Sequence, residues 1–168
     1  MACCDAILSR RDLQTRRAIL KDSHVGSFAV MAIAFLFLLS NGAVASSSPK
    51  GLSGCLPLAL IPAISRSCSS AALFHLKPMD TSSYRQMKQS YKKASLLVML
   101  FFALLPLAAA LWMGLSPVKG LYGPVCMVSC WLAIGIASKD LQGMSGDVSG
   151  FAITVGELCA LLCLALLH

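Results

Sequence analysis

The sequence predicts one all-α membrane domain spanning residues 1–168, a bundle of about five transmembrane helices. Three observations carry that prediction. Hydrophobic residues make up 57% of the 168-residue chain and charged residues only 12%, where a soluble domain carries about 25% charge. Several apolar runs reach the roughly 20 residues that a helix needs to cross a bilayer. Those runs are continuously apolar, whereas the strands of a membrane barrel alternate.

Residues 1–24 interleave Arg10, Arg11, Arg16, Arg17 and Lys21 with Ile7, Leu8, Leu13, Ile19 and Leu20. Asp12 stands one helical turn before Arg16, a spacing that supports a helix. The segment reads as an amphipathic helix lying in the membrane interface, with a solvated charged tail as the alternative. The first span is expected over 25–45. Its apolar run and Ala43-Val44-Ala45 imitate a secretion signal with a small-residue cleavage site, but the long leading region with Asp5, Asp12 and Asp22 favours a retained span.

The loop signal Ser46 to Gly51, with Pro49 inside it, separates this span from the next. That second span, 52–76, contains Pro57 and Pro62 and is expected to kink there. Residues 77–93 form a polar, basic connector. A third span follows over 94–115, then a short turn at Pro117 and Gly120, a fourth span over 121–138, a glycine-bearing loop over 139–150 and a final span over 151–167.

Charge placement orients the bundle. With the N-terminus inside, the inner side holds Arg10, Arg11, Arg16, Arg17, Lys21, Lys77, Arg85, Lys88, Lys92, Lys93 and Lys139, while the outer loops hold only Lys50 and Lys119. The positive-inside rule therefore predicts a cytoplasmic N-terminus, and the expected location is the inner (cytoplasmic) cell membrane, as a multi-pass protein. The same rule accounts for the net charge of +7 without a nucleic-acid partner. The partner implied by composition is the lipid bilayer.

The eight cysteines do not form a secreted disulfide pattern. Cys126/Cys130 and Cys159/Cys163 are each one turn apart among Leu, Ala and Val, which reads as packing rather than as half of a zinc site. Two ionisable residues fall inside apolar segments. Arg66 lies about 11 residues, roughly 16 Å, from the inner end of its segment, and Glu157 about 7 residues, roughly 10 Å, beyond Gly150. Their similar depth predicts an ion pair, since intramembrane charges pair or line a polar cavity. Separate snorkelling to the rims is the alternative.

Two polar clusters open apolar spans: Lys21, Asp22, Ser23 and His24 before the first, and Gly143-Met-Ser-Gly-Asp-Val-Ser-Gly150 before the last. Five alternating spans put both clusters on the cytoplasmic face. Carboxylate, hydroxyl and glycine grouped at one rim suggest chemistry there.

These residues carry a family resemblance. Leu20-Lys-Asp-Ser-His-Val-Gly-Ser-Phe-Ala-Val30 resembles the signature of cobalamin synthase, the adenosylcobinamide-GDP ribazoletransferase of vitamin B12 assembly. Ile61-Pro-Ala-Ile-Ser-Arg66 is similar to that family's mid-chain Pro-x-x-Gly/Ser-Arg element. Gly146-Asp-Val-Ser-Gly150 followed by Glu157 is similar to its C-terminal Gly-Asp-x-x-Gly…Glu pattern. The family also carries an upstream acidic motif, of which only Asp5 has a counterpart here, as its last aspartate. The chain is therefore expected to be an N-terminally shortened member.

The resemblance implies transfer of adenosylcobinamide phosphate from adenosylcobinamide-GDP to α-ribazole or its 5′-phosphate, with release of GMP. Attack on a pyrophosphate calls mainly for positioning and charge neutralisation, and Mg²⁺ held by carboxylates supplies both. Asp5 and Asp147 are the expected metal ligands or water-holders. Lys21 is expected to meet a pyrophosphate oxygen, and Asp22 or His24 to take the attacking hydroxyl's proton. Ser23, Gly26, Arg66, Ser145, Gly146 and Gly150 are expected to bind substrate, and Glu157 to support the structure. Each has a plainer reading: Asp147 as a helix cap, Lys21 as a membrane anchor, His24 as an interfacial polar residue. Two rival functions remain open on sequence alone, a small transporter or channel using the mid-depth charges, and an inactive membrane remnant.

Overall fold

The chain's structure, a computed structural model, describes residues 2–22, 24–47, 51–77, 79, 92–112 and 120–167. Ser23, Lys50, Arg85, Lys88, Pro117 and Lys119, with most of the 77–93 connector and residues 113–115 of the third expected span, lie outside the described residues.

The described residues form seven helices and no strands: α1 Ala2–Leu8, α2 Leu13–Lys21, α3 Ser27–Ser47, α4 Gly51–His75, α5 Lys92–Trp112, α6 Tyr122–Leu141 and α7 Gly146–Leu166. The last five are the long apolar helices. By length and hydropathy α3, Cys55–His75 of α4, α6 and α7 qualify as membrane spans, and Ala94–Leu105 of α5 is a shorter apolar stretch. The fold is a helical membrane bundle.

Two packed cores stack along the bundle. The first gathers Cys3 and Ala6 of α1, Ala72 of α4, Ala133, Ile134, Ala137 and Leu141 of α6, and Val148 and Ala152 of α7. The second gathers Ile61, Ile64, Cys68 and Ala71 of α4, Met99 of α5, Tyr122, Cys126 and Cys130 of α6, and Ala160 and Leu164 of α7. Helices α6 and α7 form the most extensive pair, and α4 packs on both and on α5. Their closeness depends on Gly156, because a Cβ there would lie 2.1 Å from the Cys130 sulfur. Cys126 and Cys130 thus pack as buried small apolar groups.

Among the described residues helix α3 packs chiefly along α7 and α1. It is apolar on every side and exposes Phe28, Val30, Met31, Ile33, Phe35, Phe37, Leu38 and Leu39, a surface suited to lipid. Helix α4 continues through both Pro57 and Pro62 without interruption.

The N-terminal segment differs from the single interfacial helix expected over 1–24. The chain breaks at Arg10, whose φ of 50° is left-handed, and Asp12 restarts the helix as the cap of α2. Its carboxylate accepts from Thr15 N at 3.2 Å and Thr15 Oγ1 at 2.6 Å. Asp12 is therefore spent on capping rather than on Arg16. Helix α1 is not interfacial, since Cys3, Asp5 and Ala6 are buried in the end of the bundle.

Candidate functional site

The site candidates collect at one end of the bundle, where α1 and α2 fold over the start of α3, the end of α6 and the start of α7. Helix α3 begins without a capping side chain of its own. Asp5 of α1 supplies one, with Gly26 N donating to Oδ2 and Ala29 N to Oδ1, both at 3.0 Å. A carboxylate at a helix start satisfies orphan N–H groups and suits the positive end of the dipole. Gly26 is needed for this approach, because a Cβ there would stand 2.4 Å from Asp5 Oδ1.

Helix α2 is tied to the end of α6. Arg17 donates through Nε and Nη2 to the Leu141 carbonyl at 3.3 and 3.1 Å, and through Nη2 to the Gln142 carbonyl at 3.3 Å. Arg16 reaches the Asp140 carbonyl at 3.5 Å. The last carbonyls of a helix lack intrahelical partners and carry partial negative charge, which is what a guanidinium satisfies. Sequence reasoning read Arg17 as inner-face charge, and Arg16 as that and as the one-turn partner of Asp12. Their acceptors are backbone atoms far along the chain, and no residue pattern marks such atoms.

Lys21 ends α2 exposed to solvent, and Asp22 follows as its C-cap residue. Asp22 Oδ1 accepts from His24 N at 3.0 Å and lies 2.7 Å from His24 Nδ1. The backbone N–H of His24, then its ring, hold the Asp22 carboxyl below its usual range. A neutral imidazole facing a carboxylate through Nδ1 carries its proton there, which leaves Nε2 as a free acceptor. The ring is 90% exposed. Ser23, between them, lies outside the described residues.

The second cluster starts α7. Gln142 ends α6 in a left-handed conformation with φ 53°. Met144 then pairs with the segment after α4, its N–H donating to the Lys77 carbonyl at 2.8 Å and its carbonyl accepting from Met79 N at 2.9 Å. Gly143 permits this, since a Cβ there would lie 2.8 Å from Met79 Cα. Ser145, expected to bind substrate, caps α7 by accepting from Val148 N at 3.3 Å. The cap is Ser145 rather than Asp147. Asp147 is left exposed in the first turn, near enough to α1 for its charge to act on Cys3. Burial first, and then Asp147, push the Cys3 thiol up to about 12. Gly146 and Gly150 are exposed, with open space where a Cβ would be.

Arg66 and Glu157 meet as their common depth predicted, Nη1 to Oε1 at 2.8 Å. Ser65 Oγ also donates to Glu157 Oε1 at 2.7 Å, and Ser69 bonds Ser149 nearer the α7 start. Arg66 therefore stands on the bundle seam, well inside the span, apart from the rim that carries residues 21–24 and 145–150.

Mg²⁺ ordinarily takes one or two carboxylates and completes its octahedron with phosphate oxygens and water. Exposed Asp147 and Asp22 suit that habit. Asp5 fits poorly as a direct ligand, because both of its oxygens already accept backbone N–H groups of α3. Among the described residues no three His, Cys, Asp or Glu side chains gather as a ready coordination set, so phosphates would have to complete one.

The family model described as cobalamin-5-phosphate synthase matches residues 1–165. The chain belongs to this family. Among its relatives, the adenosylcobinamide-GDP ribazoletransferase of Clostridium botulinum (strain Alaska E43 / Type E3) is 32% identical over 164 residues, covering 96% of this chain and 64% of the relative. The protein of the same name from Clostridium perfringens (strain SM101 / Type A) is 28% identical over 169 residues, covering 99% and 66%. The chain thus spans about 64% of the length of the Clostridium botulinum relative. No solved structure matches it.

Proposed function

We propose that the chain carries the phosphate-handling face of an adenosylcobinamide-GDP ribazoletransferase, set at the cytoplasmic side of the inner membrane. The observation that carries this reading is the Arg17 tie to the Leu141 and Gln142 carbonyls. It ties α2, whose last residue is Lys21, to the end of α6 just before the turn that begins α7, in a chain matched to the family over residues 1–165.

In this reading a ribose hydroxyl of α-ribazole, or of its 5′-phosphate, attacks the phosphorus attached to cobinamide. A P–O bond to that phosphorus forms, the pyrophosphate P–O bond breaks, and GMP leaves with the bridging oxygen. His24 Nε2 takes the hydroxyl proton, its ring held by Asp22 through Nδ1. Lys21 neutralises a pyrophosphate oxygen. The Gly146 and Asp147 N–H groups precede the first intrahelical bond of α7, Ser149 N to Ser145 O, and such groups at a helix start receive an anion. Exposed Asp147 and Asp22 are the carboxylates that would hold Mg²⁺, which would neutralise phosphate charge. Asp5 acts indirectly by fixing the start of α3.

The test is GMP release from adenosylcobinamide-GDP by the chain in phospholipid vesicles with Mg²⁺ and α-ribazole. Turnover that Asp147→Asn and His24→Gln both abolish supports the assignment. Turnover that both variants retain removes it.

A further inference from the structure

The faces of this bundle that meet lipid carry large apolar side chains: Phe35, Phe37 and Leu38 on α3, Leu97 and Phe101 on α5, Leu132 on α6. Helix α4 departs from that pattern. Between residues 55 and 75 its exposed residues are Cys55, Ala59 and Arg66, and at 3.6 residues per turn these share one stripe. Beyond its first turns α7, beside it, exposes only Leu166.

The stripe carries a charge at an unfavourable depth. Arg66 Nη1 bonds both Glu157 and the Pro62 carbonyl, the latter at 3.1 Å, so the guanidinium sits level with Pro62. That level is about 13 residues, roughly 20 Å, from the His75 end of α4 and about 11 residues, roughly 16 Å, from its Gly51 end. Glu157 is likewise near the middle of α7. The two side chains are 62% and 28% exposed. Arg66 Nε and Nη2 have no acceptor among the described residues. Charges at mid-bilayer face a partner or water rather than hydrocarbon, and lipid phosphates lie roughly 15 Å away.

We propose that the α4–α7 face is the interface between two copies of this chain, related by a two-fold axis along the membrane normal. Such an axis preserves depth, so each copy brings its Arg66–Glu157 pair to the same level. The pair is self-complementary, as an isologous interface requires. The guanidinium of one copy, 62% exposed, meets Glu157 of the other, and the reciprocal contact closes a ring of alternating charge with no net charge. Ala59 and Cys55, further along the stripe, leave room for the two α4 backbones to approach. A lipid tail offers no acceptor to the guanidinium. The proposal stands apart from the reaction at the rim.

The chain labelled with one fluorophore per copy and diluted in phosphatidylcholine vesicles tests this by single-molecule bleaching-step counts. Two-step spots are expected to predominate, and Ala59→Phe is expected to lower the association constant at least tenfold. Position 59 is exposed, so the added ring burdens the dimer and not the monomer. Oxidation of the unsubstituted chain provides a second reading, with a Cys55–Cys55 disulfide expected between copies. One-step spots at every protein-to-lipid ratio would mean that lipid or a different chain covers this face, and would overturn the proposal. So would a dimer that Ala59→Phe leaves intact and Cys55 fails to trap.

Discussion

Asp5 and Gly26 stand in a contact that only glycine permits. The Asp5 carboxylate accepts from Gly26 N and Ala29 N at 3.0 Å each, and a Cβ on residue 26 would lie 2.4 Å from Oδ1. This contact locks the buried α1 to the start of the first membrane helix. Gly26→Ala is expected to destabilise the fold by about 1–3 kcal/mol through overpacking. Asp5→Ala alone is expected to cost about 1–2 kcal/mol as a lost cap. The double variant should cost less than the sum, because removing the carboxylate removes the clash. Thermal unfolding in detergent micelles measures all three.

Gly156 and Cys130 give a second steric pair at the α6–α7 seam. Gly156→Ala should lower stability by about 1–3 kcal/mol, since its Cβ would meet the Cys130 sulfur at 2.1 Å. Adding Cys130→Ala should restore part of the loss, as the next contact, the Cys126 carbonyl, is at 3.3 Å. The same unfolding measurement decides it.

Arg17 acts on chemistry through position. Arg17→Ala releases α2 from the α6 carbonyls, at about 1.5–3 kcal/mol for a charged hydrogen-bond group. GMP release should fall at least tenfold. Arg17→Lys, a single point donor, should recover part of it. A purely structural loss would lower active protein without changing KM, whereas displacement of residues 21–24 should raise KM for adenosylcobinamide-GDP.

Asp22 binds its proton more weakly in the folded chain than in the unfolded one, because the His24 N–H and ring favour the carboxylate. Its folded pKa is depressed, so the contribution is present above the ordinary carboxylate pKa of about 4 and disappears as pH falls through the lower folded value. The Asp22–His24 contact should therefore persist at neutral pH and open only in acid. Carboxyl carbon NMR on labelled Asp should show the shifted titration, and His24→Ala should remove only the ring's share of it, leaving that of the residue-24 N–H.

Burial and then Asp147 raise the Cys3 thiol to about 12, so very little of it is the reactive thiolate near neutral pH. Maleimide should label buried Cys3 only slowly in micelles. Asp147→Asn should hasten Cys3 labelling, as mass spectrometry of the peptides would show. An unchanged Cys3 rate would mean that Asp147 does not act on α1.

The long helices were legible because a bilayer demands uninterrupted apolar length, and 25–45 and 151–167 differ from Ser27–Ser47 and Gly146–Leu166 only at their ends. Arg66 and Glu157 were legible as a pair because depth is readable from residue counts. The N-terminal fold was not. The break at Arg10, the Asp5 cap on α3 and the Arg17 clamp on α6 all satisfy backbone groups, and those leave no mark in side-chain spacing. Ser145 shows the same limit, since a capping hydroxyl and a substrate-binding one look alike in sequence.

The central claim is that residues 21–24 and 145–150 face one aqueous compartment. Single cysteines at 24 and 145, introduced into an otherwise cysteine-free chain in sealed inner-membrane vesicles of both orientations, test it with a membrane-impermeant maleimide. The account predicts that both label from the cytoplasmic side and neither from the opposite side. Labelling of the two positions from opposite sides would contradict it.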